Sequence, residues 1–220
     1  MDTEDSETNA QEMKVLDIVP DQKLRSLGIF LDVVFALMFF RIVEFLPSFQ
    51  DGHWVYLPHG ILSLLASQPT NLTRVAFGLI ITVYYWNRKN TLFSVLARSS
   101  SVLATLSIAN LSFLCLFMYA LIADPMYAGG VPTLLLQSVS LVIASLFGLF
   151  ALRYAIHADL TRPELKPSAE QIARIDLSNP LTAIIAIGLA WSGLTIWTLS
   201  WFVLTPLICW LLAIRRGQRL

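Results

Sequence analysis

The sequence predicts an all-α, polytopic membrane protein with six transmembrane helices per protomer and both termini in the cytoplasm. Three observations predict this fold: a surplus of apolar residues, their arrangement in long runs, and a one-sided distribution of basic residues. Of the 220 residues, 56% are hydrophobic and 14% are charged, whereas a soluble globular domain carries about 25% charged residues. A globule of this composition could not cover its surface with polar groups, so the surplus apolar surface must face lipid.

The apolar runs are long enough to cross a bilayer, because a membrane span needs about 20 mostly apolar residues. We expect spans at residues 27–46, at residues 75–86 with a continuation toward residue 96, and at residues 102–123 and 131–156. Residues 180–214 contain no charged residue. This last run is too long for one span and just long enough for two. The turn between those two spans is expected anywhere from Trp191 to Trp201.

The distribution of basic residues tests the number of membrane spans, because cationic residues concentrate on the cytoplasmic side of membrane proteins. Thirteen of the fifteen Lys and Arg residues fall on one side of a six-span topology: Lys14, Lys23, Arg25, Arg88, Lys89, Arg98, Arg153, Arg162, Lys166, Arg174, Arg215, Arg216 and Arg219. The other two are Arg41, inside the first span, and Arg74, on the opposite side. Five or seven spans would place the basic C-terminus outside, so six spans fit best.

The connections divide the chain into a membrane domain and two tails. Residues 1–25 form a polar, mainly acidic cytoplasmic tail, residues 26–216 the six-helix transmembrane domain, and residues 217–220 a short cytoplasmic tail. Residues 47–71 are expected to lie at the outer interface, anchored by aromatic residues. Residues 159–178 are expected to form a polar cytoplasmic loop with one helical turn near Ser168 to Arg174. The net charge of zero gives no reason to expect a nucleic-acid partner.

The first span is unusual because it carries Asp32, Arg41 and Glu44. An ionisable side chain costs about 2.5–3.5 kcal/mol at the bilayer centre on insertion scales, so it faces a bundle interior or water. At 100° per residue, one helix face is shared by Val33, Leu37, Phe40, Arg41 and Glu44. Asp32 lies on a roughly opposite face, where we expect a buried carboxylate.

Two interpretations of this charged face stay open. Arg41 and Glu44 can form an i,i+3 ion pair near the outer interface and have no further role. Alternatively, the face lines an aqueous path, and because one helix cannot enclose a pore, several copies of the chain would then surround an axis. Asp32 is expected to anchor helix ends through hydrogen bonds, with Asn110 of the third span as one candidate partner.

The spans lack the residue sets that intramembrane enzymes require. Such enzymes need paired carboxylates, a Ser/His pair or a metal motif at membrane depth, and here there is one isolated aspartate with no histidine in a span. We therefore expect neither enzymatic activity nor a cofactor. Cys115 and Cys209 lie in apolar runs and are expected to be core residues, not a disulfide or a metal site.

Three short motifs resemble the transmembrane protein 175 family of potassium channels. The segment Phe30-Leu31-Asp32 with the following Val33-Val34-Phe35-Ala36 resembles the Phe-Ser-Asp motif that opens the first helix of that family. Trp86-Asn87 with Phe93 resembles the end of its second helix, and Asn110-Leu111-Ser112-Phe113-Leu114 with Pro125 resembles its third. The resemblance covers about residues 25–215, and the chain length fits the single-repeat bacterial members. The resemblance therefore implies a location in the bacterial plasma membrane.

This resemblance implies a homotetramer embedded in the bilayer, with the first helix of each subunit lining a central pore. The family lacks the carbonyl-lined filter of ordinary potassium channels and uses a ring of bulky aliphatic residues, a position held here by Leu37. Passive conduction of potassium is thus the expected function. Phe30, Asp32, Asn110 and Trp86 would form the supporting motif network.

The chain departs from the family pattern at several positions. Leu31 replaces the motif Ser, Arg25 lies one position too early, and Asn87 stands where the family has His. Arg41 is the largest departure, because four arginines around an axis would repel a cation unless Glu44 neutralises each one. The alternatives are therefore a weakly selective cation, proton or anion pathway, or a structural subunit that does not conduct.

Overall fold

In the computed structural model, residues 22–43, 69–123 and 130–217 are described, and this part of the chain is helical without a β-strand. Its α-helices are α1 (Gln22–Val43), α2 (Pro69–Val95), α3 (Ser101–Ala123), α4 (Val131–His157), α5 (Lys166–Asp176), α6 (Ser178–Leu189) and α7 (Leu194–Gly217). Two 3-10 turns precede α5 and follow α6, at Pro163–Leu165 and Ala190–Ser192.

Four segments of the described chain are long and apolar enough to cross a membrane. They are Ser101–Ala123, Val131–His157, Pro163–Ser192 and Leu194–Leu212. Helices α1 and α2 have 22 and 27 residues, but each carries several charged side chains. Length and composition thus indicate an all-helical membrane protein.

The predicted spans agree best with the structure where Gly or Pro bounds an apolar run. The boundaries of α3 and α4 lie within one residue of the prediction. Helix α2 includes the continuation beyond Trp86 and starts at Pro69, six residues earlier than expected. Helix α1 begins at Gln22, so the last residues of the predicted N-terminal tail are helical. The predictions for residues 1–21, for Glu44 and residues 45–68, for residues 124–129 including Pro125, and for residues 218–220 lie outside the described residues.

The prediction of a loop at residues 159–178 is wrong, because α5 occupies most of it. Pro163 and Pro167 each sit in the first turn of a helical segment, where the missing N–H breaks no hydrogen bond. Ala169 and Ala173, four residues apart, are buried against Val95 of α2 and Leu152 of α4. Packing on one apolar edge thus stabilises a helix whose composition is polar.

Gly193 separates the last two helices, inside the interval predicted for the turn. Its φ of 91° lies in the left-handed region that favours glycine. Helix α6 has 12 residues, which gives about 18 Å at about 1.5 Å per residue, too short to cross alone. Helical backbone at Leu177 joins α6 to α5, so the candidate span starts well before residue 180.

Helices α3 and α4 form the centre of the bundle. Leu134, Leu141 and Ala144 of α4 are fully buried, and α3 and α6 pack against this helix. Ser140, Ala144 and Gly148 recur every four residues on α4, and small residues at this spacing permit close helix approach. Gly148 lies directly against the Asn110 side chain of α3, so this series packs helices within one protomer.

Two connections meet at one end of the bundle, where α2 and α4 end and α3 and α5 begin. A backbone bridge joins Leu96 to Thr161, and the Arg162 N–H donates to the Val95 carbonyl at 2.9 Å. We call this the basic end, because it exposes Arg98, Arg153 and Arg162. Here Lys166 Nζ donates to Asp159 Oδ1 at 2.6 Å, and this hydrogen bond lowers the pKa of the Asp159 carboxyl.

Candidate functional site

Helix α1 has one buried face, built from apolar residues three and four positions apart. These are Leu24, Leu27, Leu31, Phe35, Met38 and Ile42. The face packs on α2 and α3. The motif position Leu31 is 2% exposed, so the residue that stands in place of a serine contributes apolar packing to the core.

The opposite face of α1 is uncovered in the protomer. Val33, Leu37 and Phe40 are 54%, 59% and 63% exposed, and Arg41 is exposed as well. We call these four residues the α1 stripe. They are the described members of the face that periodicity predicted, while Glu44 lies outside the described residues. The structure therefore places an apolar row and a guanidinium on the same open surface.

Asp32 lies at one edge of this open surface and connects α1 to α2. Its Oδ1 accepts a hydrogen bond from Trp86 Nε1 at 2.9 Å and another from Lys89 Nζ at 2.6 Å. Lys89 also lies over the Phe93 ring, 5.4 Å from its centroid. The Asp32 side chain is 51% exposed, so the expectation of a buried carboxylate is wrong. The buried face of α1 is neither the α1 stripe nor the face that carries Asp32.

The other two motif residues lie apart from this contact. Phe30 is 50% exposed. Asn110 donates through Nδ2 to the Ala144 carbonyl at 2.5 Å and so ties α3 to α4. The expected hydrogen bond from Asn110 to Asp32 is therefore replaced by one to the backbone of α4.

A buried polar cluster on the other side of α2 was missed by the sequence analysis. Arg88 forms an ion pair with Asp176 of α5, and both side chains are at most 16% exposed. The Arg88 guanidinium lies 5.8 Å from the ring centroids of both Tyr84 and Tyr85. Arg88 was predicted only as one of the cytoplasmic basic residues, and the spacing of Tyr84, Tyr85 and Arg88 along one helix is the signal that could have identified the cluster.

The two tyrosines extend this cluster to further helices. Tyr84 donates to Asn179 Oδ1 of α6 at 2.6 Å. The hydroxyls of Tyr85 and Ser145 of α4 lie 2.7 Å apart. Helix α2 is thus connected through polar side chains to α1, α4, α5 and α6, although it is itself one of the less apolar helices.

A cavity of about 230 Å³ lies between these contacts, bounded by α1 to α5. Leu31 and Phe35 bound it on the α1 side, and Arg88, Lys89 and Asp176 are the lining residues with charged side chains. Ser107 and Asn110 contribute the polar wall from α3. Within the described ranges, no three His, Cys, Asp or Glu side chains come together in a way that could hold a metal ion.

No family model matches the chain, and no curated protein matches it either.

Proposed function

We propose that the protein is a passive ion channel in which several copies of α1 surround a central pore, with the α1 stripe facing the permeating ions. The resemblance to the transmembrane protein 175 family suggests four copies, and potassium as the permeant ion. The observation that supports this proposal is the open face of α1, which lies opposite its buried face and carries an exposed arginine beside exposed apolar residues.

The charge on this face favours water or protein as its surroundings over lipid. Arg41 lies in the last turn of α1, where a charged side chain against acyl chains costs less than the roughly 2.5–3.5 kcal/mol of the bilayer centre but still favours contact with water. The cost falls when the same face meets an aqueous path shared with other protomers. Six spans with both termini in the cytoplasm would complete this topology and place the basic end on the cytoplasmic side.

Leu37 and Phe40 would form the constriction of the pore. Both side chains are large, apolar and more than half exposed in the protomer, and a ring of such residues closes a pore sterically and by dewetting. Arg41 lies next to Phe40 and would form a charged vestibule. At the other edge, the contact of Asp32 with Trp86 and Lys89 would hold each pore helix against its own α2.

Potassium flux through purified protein in liposomes tests this proposal. The wild type is expected to conduct above protein-free liposomes, and Leu37→Ala is expected to raise the flux roughly tenfold, the factor that corresponds to a barrier lowered by about 1.4 kcal/mol. Leu199→Ala is the matched control, because Leu199 is 56% exposed and belongs to α7, not to the proposed pore helix. Its flux should equal that of the wild type.

Two results would contradict the proposal. If Leu37→Ala and Leu199→Ala have equal flux, Leu37 is not at the constriction. If light scattering shows a monomer in detergent and in nanodiscs, α1 cannot enclose a pore. A wild-type protein that is oligomeric but gives no flux supports the alternative of a structural or assembly subunit.

Arg41 favours a second reading, in which the pathway is weakly selective or conducts protons or anions. Reversal potentials in potassium chloride gradients distinguish these cases. If the arginine ring sets selectivity, Arg41→Gln should shift the reversal potential toward the potassium equilibrium potential, because four fixed positive charges no longer repel the cation. An unchanged reversal potential would show that Arg41 lies off the ion path or is neutralised.

A further inference from the structure

The cavity lies on the buried side of α1 and is partly open to the surface. Its volume is about 230 Å³, well above the roughly 10–15 Å³ that one water needs on the same measure. Its apolar wall includes Leu31, Phe35 and Leu152. A space of this size and lining suits a small molecule with an apolar body.

The charged wall of the cavity offers more hydrogen-bond donors than acceptors. Arg88 and Lys89 line it together with one carboxylate, that of Asp176. Lys89 is bound to Asp32 outside the cavity through a single oxygen. Because a guanidinium and an ammonium each carry several N–H donors, both cations have donors left over. Lys89 is 10% exposed and Arg88 16%, so bulk water reaches these donors poorly.

A second, independent observation concerns the serine in the cavity wall. Ser107 is 7% exposed, and its Oγ has no hydrogen-bond partner. On the same helix, Thr105 and Ser112 donate to carbonyls four residues earlier, at 2.9 Å in both cases. Because a buried hydroxyl without a partner costs free energy, a ligand that offers Ser107 a hydrogen-bond acceptor would be stabilised.

We infer that the cavity is a binding site for a small organic monoanion, an aromatic or short aliphatic carboxylate of about the size of benzoate. Its carboxylate would accept hydrogen bonds from Arg88 and Lys89, and its apolar body would fill the space beside Phe35 and Leu152. A neutral molecule would leave these donors without a charged acceptor, and an organic ammonium ion would offer them no acceptor at all. This inference does not depend on ion conduction.

Equilibrium binding of radiolabelled benzoate to the protein in nanodiscs tests the site, with protein-free nanodiscs as the measure of partition into lipid. Saturable binding at one site per protomer is expected. Benzyl alcohol and benzylammonium should compete at least tenfold more weakly than unlabelled benzoate, since they lack the oxyanion. Binding that never saturates, or equal competition by all three compounds, would overturn the inference.

Paired variants locate the site. Ser107→Leu fills the cavity and should weaken benzoate binding at least tenfold, whereas Ser112→Leu makes the same change on an exposed part of α3 and should have no effect. Where Ser107→Leu fails to fold, Lys89→Gln decides, because it removes the charge and keeps a group that can bond Asp32. Its control is Arg98→Gln at the exposed basic end. Unchanged affinity in Ser107→Leu or Lys89→Gln would refute the assignment.

A bound anion would contact the buried face of α1. Leu31 and Phe35 belong both to the cavity wall and to the buried face of α1, directly opposite the α1 stripe. Benzoate occupancy is therefore expected to alter the rate at which a thiol reagent modifies Val33→Cys. The rate for Val203→Cys on α7, a helix that does not line the cavity, should stay unchanged. An equal rate for Val33→Cys with and without benzoate would contradict this coupling.

Discussion

Helices α1 and α7 both expose an apolar face, but the two faces differ in the charges beside them. On α7 the exposed residues include Leu199, Val203 and Leu207, and no Asp, Glu, Lys or Arg occurs between Leu194 and Ile214. On α1 the exposed apolar row lies between Asp32 at one edge and Arg41 at the other. Exposure in a single protomer therefore does not say what a face meets: α7 suits lipid, whereas α1 suits water or another copy of the chain.

The two helices are also attached to the bundle in different ways. On α7, Trp197 is fully buried, donates to Ser138 Oγ at 2.8 Å and packs edge-to-face on Phe77, with ring centroids 5.2 Å apart. On α1, the half-exposed Asp32 accepts hydrogen bonds from Trp86 and Lys89. Helix α7 is thus held by a buried aromatic group, and α1 by apolar packing with a polar contact at the surface.

The largest expected effect concerns the attachment of α7. Trp197→Ala should lower the free energy of unfolding by about 3–5 kcal/mol, because it leaves a cavity and an unpaired Ser138 hydroxyl. Unfolding in mixed micelles with increasing dodecyl sulfate measures this loss. Trp191→Ala is the control, since Trp191 is 66% exposed, and it should change stability little. Equal losses in both variants would mean that Trp197 does not hold α7.

A matched pair of lysines tests what the two exposed faces meet. Val203→Lys should destabilise the protein by about 2.5–3.5 kcal/mol if α7 faces lipid, whereas Val33→Lys should be tolerated if α1 faces water. Val33 and Val203 are 54% and 60% exposed and lie near the middle of their helices. The yield of folded protein extracted from membranes reports the difference. If the yield of folded protein fell more for Val33→Lys than for Val203→Lys, the exposed face of α1 would face lipid.

The smallest effect is expected at the surface contact of α1. Asp32→Asn should lower the free energy of unfolding by at most about 1 kcal/mol, because half-exposed ion pairs are screened by solvent. The same dodecyl sulfate titration measures it, and Asp159→Asn at the basic end serves as an exposed control. A loss as large as that of Trp197→Ala would show that Asp32 is a principal attachment of α1.

Sequence patterns predicted those parts of the fold where a single physical property dominates. The runs that became α3 and α4 are largely apolar and end at Gly, Pro or polar residues, so hydrophobicity and breakers define them. Helix α5 was predicted only as a single turn, because its composition is polar and two prolines precede or begin it. Its helical state depends on how Ala169 and Ala173 pack on other helices, which local sequence does not reveal.

The candidate site was predictable only where the helical period alone determines which residues share a face. The helical period of 3.6 residues placed Val33, Leu37, Phe40 and Arg41 on one face, and the structure exposes all four. The period could not identify which face of α1 is buried, because every face is rich in apolar residues. The partners of Asp32 and Arg88 depend on the register of α2 against α1 and α5, which is a tertiary property.

Arg88 and Lys89 are consecutive residues of α2 that bind carboxylates on different helices, Asp176 of α5 and Asp32 of α1. Consecutive side chains diverge by about 100° around a helix, so the two pairs act on α2 from different directions. Rotation of α2 about its own axis would strain both pairs at once. A displacement of α5 would therefore act on α2 through Arg88, and the adjacent Lys89 would carry it to α1.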